Sequence, residues 1–192
     1  MRKISIGFLA VALELLTGCA GVVSLHPLVT DSDKDAFLDP ALVGSWREFS
    51  PDDKPDSAGG QLWVVTRYGP NGYKASTTDN GVEKAVVFHI LKLPDRYLLD
   101  VRNDLGDAVL PAHVYFGLTL QKDILKVWEM DTPWLKQQVA AREGLRSEVL
   151  TEADVDGKVV ITSPQADLRK YFLPLAADNR SFANESELHR VK

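Results

Sequence analysis

From residue 43 onward, apolar and polar residues follow one another in short runs with a period of two. Val43–Phe49, Leu62–Tyr68, Tyr73–Thr77, Lys84–Lys92, Tyr97–Arg102, Ala112–Leu120 and Ile124–Met130 each have the length and content of a β-strand. In Ala112–Leu120 the residues Ala112, Val114, Phe116, Leu118 and Leu120 fall on one face, and His113, Tyr115 and Thr119 on the other. That pattern predicts a strand with a single core face. Tyr97, Leu99 and Val101 repeat the logic. Gly69-Pro70-Asn71-Gly72, Asp79-Asn80-Gly81, Pro94-Asp95, Asn103-Asp104-Leu105-Gly106 and Gln121-Lys122-Asp123 punctuate the runs with turn chemistry. Connections this short join antiparallel neighbours, because parallel strands need crossovers of a dozen residues or more. The expected fold is therefore mainly β, an antiparallel meander.

Two helical segments interrupt it. Thr132-Pro133 opens a stretch with Trp134, Leu135, Gln138 and Val139 at helical spacing, stopped by Gly144. Ser163-Pro164 opens a second, with Leu168, Tyr171, Phe172 and Leu175 on one stripe and Pro174 set to end or kink it. Glu148–Thr151 and Lys158–Thr162 between them form a last hairpin, and the polar tail 178–192 reads as frayed. An open sheet of this many strands has to hide its edges, and closing into a barrel or half-barrel does so.

The N-terminus has a different pattern. Arg2 and Lys3 precede the 13-residue apolar stretch Ile4–Leu16, long enough for a signal-peptide core and short of the roughly 20 residues of a membrane span. Residues 1–18 are expected to be a cleaved signal. Residues 19–40 then form a tether, 41–177 the β-rich domain and 178–192 the tail. In the tether, Asp31-Ser32-Asp33-Lys34-Asp35 has alternating carboxylates, but Ala36 and Leu42 stand where a calcium loop needs Gly and Glu. The run reads as a solvated linker.

Composition narrows the function classes. The 192 residues are 45% hydrophobic and 26% charged, the make-up of one globular domain. Losing Arg2, Lys3 and Glu14 with the signal would take the formal charge from −5 to −6, which argues against a nucleic-acid partner. The one cysteine, Cys19, excludes a disulfide framework and a cysteine-pair zinc site. No G-x-S-x-G, H-E-x-x-H, phosphate-loop or dinucleotide-binding pattern occurs. No cofactor and no metal are expected. His89 and His113 are the one histidine pair that neighbouring strands can bring together, and they define an alternative reading as a hydrolase with a cleft site. The aromatic residues Trp46, Trp63, Tyr97 and Phe116 are candidates to line a ligand cavity, against filling the core.

Two resemblances add to this. Leu16-Thr17-Gly18-Cys19 resembles the lipobox of bacterial lipoproteins. That implies lipidation of Cys19 and anchorage in a membrane, where two or three acyl chains hold permanently. Ala20 stands where an Asp retains enterobacterial lipoproteins at the inner membrane, so in a Gram-negative envelope the expected place is the inner leaflet of the outer membrane, facing the periplasm. Asp39-Pro40-Ala41-Leu42-Val43-Gly44-Ser45-Trp46 resembles the D-P-A-L-x-G-x-W opening of lipobox lipoproteins of unknown function, with Pro111-Ala112-His113 and Trp134-Leu135 as later features. Gly44-Ser45-Trp46 is also similar to the G-x-W of lipocalins, a resemblance confined to that triplet, which implies a lipocalin-like barrel. The expected function is non-enzymatic: a lipid-anchored envelope domain that binds a small apolar ligand or a protein partner.

Overall fold

The computed structural model describes residues 21–49, 60–103, 112–152 and 155–191. Eleven strands form one continuous sheet. They are β1 (Val22–Ser24), β2 (Gly44–Phe49), β3 (Leu62–Tyr68), β4 (Gly72–Asp79), β5 (Val82–Lys92), β6 (Tyr97–Asn103), β7 (Ala112–Gln121), β8 (Ile124–Met130), β9 (Ser147–Glu152), β10 (Val155–Ile161) and β11 (Phe182–Arg190). β2 through β8 run as an antiparallel meander, and β11 pairs with both β8 and β2 to close eight strands into a barrel. The mainly β barrel that the alternation predicts is thus fully closed.

The turns follow their residues. Asn80 and Gly81 both adopt positive φ, 50° and 82°, which suits a tight hairpin between right-twisted strands. The inward face of every barrel strand supplies one apolar core: Trp46 and Trp63 at the β2–β3 pair, Val65, Phe88, Phe116 and Leu188 around them.

Between β8 and β11 the chain leaves the barrel. Helix α1 (Thr132–Ala140) starts at Asp131, whose carboxylate caps the Trp134 N–H at 2.9 Å. The hairpin of β9 and β10 follows. A helical segment then runs through α2 (Gln165–Asp167), a π-helical stretch (Leu168–Phe172) and α3 (Leu173–Ala176). This excursion packs against the outer wall of β6 and β7 and builds a second core from Leu98, Tyr115, Leu135, Ile161, Leu168 and Phe172.

Three expectations are corrected. The tail 178–192 is not frayed: β11 is the strand that closes the barrel, with Leu188 fully buried. The tether 19–40 is not a free leash over its described part. β1 pairs with β7 and, in parallel, with β10, while Leu28 and Val29 are buried. Its acidic run is docked, Asp33 and Asp35 on Arg169 and Asp31 on His89. Third, β7 has two buried faces, because the second core covers His113 and Tyr115. Residues 1–20, on which the expected signal, the lipobox-like tetrapeptide and Cys19 fall, lie outside the described residues, as do Asp104, Leu105, Gly106 and Pro111.

Candidate functional site

The barrel is closed at one end by the D-P-A-L segment. Asp39 caps the 3-10 turn Pro40–Leu42 by accepting the Ala41 N–H at 2.9 Å, and Leu42 enters the barrel core. The Leu42 carbonyl accepts the Trp46 indole N–H at 2.9 Å. Two phenols hold the plug in place. Tyr73 accepts the Asp39 N–H at 2.7 Å and lies 3.0 Å from its carbonyl, and Tyr97 donates to the Asp39 carboxylate at 3.1 Å. Burial raises both phenols above their ordinary pKa, so they stay neutral donors; the bond to Asp39 adds to the effect at Tyr97. Phe37 stacks on Tyr97 with ring centres 5.3 Å apart.

Above the plug lies a cavity of about 30 Å³. Its wall includes Trp46, Trp63, Ala75, Val86, Leu125 and Leu188, and the exposed lining is wholly apolar. Of the four aromatic candidates, Trp46 and Trp63 line this cavity. Tyr97 instead belongs to the plug, because its inward position on β6 lies at the closed end. Phe116 fills packed core, buried among the inward side chains of β6, β7 and β8.

The wall turns polar toward the other end. Continuing the inward parity from the lining residues leads from Ala75 to Thr77, from Trp46 to Glu48, from Val86 to Lys84 and from Val127 to Glu129. Glu48 accepts the Trp63 indole N–H at 3.4 Å, Lys84 pairs with Asp79 at 2.6 Å, and Glu129 accepts from Asn184 at 3.1 Å. Sequence reasoning missed this rim. The signal available was the alternation of β4, which assigns Thr77 to the same face as Tyr73 and Ala75.

A second cluster sits in the outer wall. Asp100, buried on β6, accepts His113 Nδ1 on Oδ1 at 2.6 Å and the N–H groups of Leu28 and Val29 on Oδ2 at 2.6 and 3.1 Å. Both oxygens are thus committed to holding the N-terminal segment and β7 against the barrel. Next to it, burial and the Asp100 charge push the Tyr115 phenol well above its ordinary pKa. Ser24, opposite His113 in the β1–β7 pairing, gives its hydroxyl to the His26 carbonyl at 2.8 Å. His89 stands across from Asp100 in the β5–β6 pairing, on the same outer face as His113, but its Nε2 lies 3.1 Å from Asp31 while His113 holds Asp100. Among the described residues no cluster of three or more His, Cys, Asp or Glu side chains is arranged to hold a metal, and no helix is long and apolar enough to cross a membrane.

Comparison with known proteins returns no match to any family model, curated sequence or solved structure.

Proposed function

We propose that the chain is a lipid-anchored envelope protein whose barrel holds a small apolar ligand without transforming it. The observation that carries this reading is the wholly apolar cavity inside a closed, plugged barrel. A lining with no titratable or nucleophilic group offers binding by burial and no chemistry. The barrel is also the inverse of one that spans a bilayer. Its apolar face is inside, while ion pairs such as Lys74–Glu83 and Lys126–Glu185 stand outside.

Anchorage rests on the lipobox resemblance, and the docked N-terminus gives it a consequence. Cys19 is three residues before β1, a reach of roughly 10 Å at full extension, so a lipidated Cys19 holds the barrel against the membrane surface. Cys19→Ser is the test. The variant should leave the membrane fraction and lose the acyl mass, whereas unchanged membrane association would refute the anchor. For the barrel, Ala75→Leu is expected to fill the cavity and abolish binding of an apolar fluorescent probe while the far-ultraviolet circular dichroism is retained. Undiminished probe binding would refute the interior site.

A second reading, a protein partner, has one observation in its favour. The outward face of β3 exposes Leu62 and Val64, with Tyr68 beyond Thr66. Cross-linking in intact cells through substituted cysteines at these positions tests it.

A further inference from the structure

One buried polar group in the barrel has nothing to bind. The Thr77 residue is 4% exposed, and its Oγ1 is sealed from solvent and makes no hydrogen bond, the one buried side-chain polar atom so left among the described residues. Folded proteins pair such groups almost without exception. Thr77 lies directly across from Trp63, a cavity-lining residue, and two residues along β4 from Ala75, another. Same-face neighbours on a strand are roughly 7 Å apart, so Thr77 stands one layer beyond Ala75 on the inward face, on the side away from the plug.

The surrounding rim limits what the hydroxyl can serve. Among the described residues its charges are Glu48, Asp79 and Glu129 against Lys84, and Lys84 is already held by Asp79 at 2.6 Å. Asp79 and Lys84 neutralise one another, so the described rim offers an anionic head no unpaired ammonium. The cavity below takes the end of a narrow chain and nothing wider, being about 30 Å³.

We propose that the ligand of the barrel is a slender, uncharged amphiphile. Its linear hydrocarbon end enters the cavity between Trp46 and Trp63, and its hydroxyl or carbonyl oxygen, at the other end, bonds to Thr77 Oγ1. This rests on the ligand-binding reading above and names the class of ligand that site selects.

The test is calorimetric titration of the mature, detergent-solubilised protein at pH 7 with n-hexane, 1-hexanol and hexanoate, for the native chain, Thr77→Val and Thr77→Ser. The native chain should prefer hexanol to hexanoate by at least about tenfold, the scale of one charge-mismatched head. Thr77→Val keeps the shape and removes the hydroxyl. It should weaken hexanol about tenfold, leave hexane unchanged, and raise the melting temperature of the ligand-free protein, since the orphaned group is gone. Thr77→Ser should restore hexanol binding. If hexane and hexanol respond alike to Thr77→Val, or hexanoate binds best, the inference falls while the apolar cavity stands. If none of the three binds the native chain, the ligand-binding reading falls and takes this one with it.

Discussion

The Arg190 guanidinium lies over the ring of Trp46, 4.2 Å from its centre, at the plugged end of the barrel. Its nitrogens also donate to the carbonyls of Ala41 and Val43 and pair with Asp123 at 3.1 Å. One side chain therefore joins the last strand, the first barrel strand, the plug and the β7–β8 turn. Gly44 belongs to the same arrangement: its φ is +148°, and a Cβ there would stand 2.5 Å from an Arg190 nitrogen.

Removing that side chain should loosen the closure. Arg190→Ala is expected to destabilise the protein by about 2–3 kcal/mol, the sum of a cation–π contact and the lost bonds to carbonyls. Arg190→Lys should recover less than half, because a single ammonium cannot stack flat and fork to two carbonyls. Urea unfolding midpoints check both.

The plug predicts a smaller, separable effect. Asp39→Ala removes the cap of the Pro40–Leu42 turn and the acceptor of Tyr97 while sparing the backbone bonds to Tyr73. A loss of about 1–2 kcal/mol is expected. Tyr97→Phe should cost about half of that, since only the hydroxyl bond goes. A Tyr97→Phe loss equal to that of Asp39→Ala would show that the cap contributes nothing.

Asp100 fastens the N-terminal segment to the wall. Asp100→Asn puts an amide where three donors converge on two acceptor oxygens, and a loss of about 2–4 kcal/mol is expected. Hydrogen exchange should quicken at the Leu28 and Val29 amides, with the β3–β4 ladder little changed. Exchange that quickens uniformly would mean the carboxylate supports the whole barrel and not this junction.

Acid should release the docked linker. Burial works to raise the Asp33 carboxyl, but bonds from the Thr30 N–H and hydroxyl, from Gln165 and the Arg169 charge outweigh it, leaving the group below its ordinary 3.8. A folded-state pKa below the unfolded one gives stability that is present above the unfolded value and lost as pH falls through the folded one. Asp178, held to about 2 by Arg180, acts in the same direction from a fully exposed position. The stability gap between the native chain and Asp33→Asn should therefore be constant from pH 7 to about 5 and close below 3.8. A gap no narrower at pH 2 than at pH 5 would contradict the assignment.

The barrel strands of the meander were legible because each has an apolar inward face that repeats every second residue. β11 was not, since along Phe182–Arg190 the polar residues Asn184, Glu185, Ser186 and Glu187 leave Leu188 as its one deeply buried apolar anchor, and a strand with one such anchor looks like a tail. β1 is three residues long and takes its stability from β7 and β10, far away in the chain. The site divides the same way. Trp46 and Trp63 were legible only as aromatic candidates for a cavity wall, with packed core as the alternative. The missing partner of Thr77 is a property of its surroundings, which no local pattern encodes, and Tyr97 reads the same whether it lines a cavity or seals a plug.

The most direct test of the binding account is native mass spectrometry of the mature protein drawn from its own envelope in mild detergent, compared with the same sample after denaturation. The account predicts a discrete mass excess, lost on unfolding and absent from Ala75→Leu, beyond the acyl mass that both samples keep. A native mass equal to the denatured mass, with Ala75→Leu identical to the parent, would contradict it.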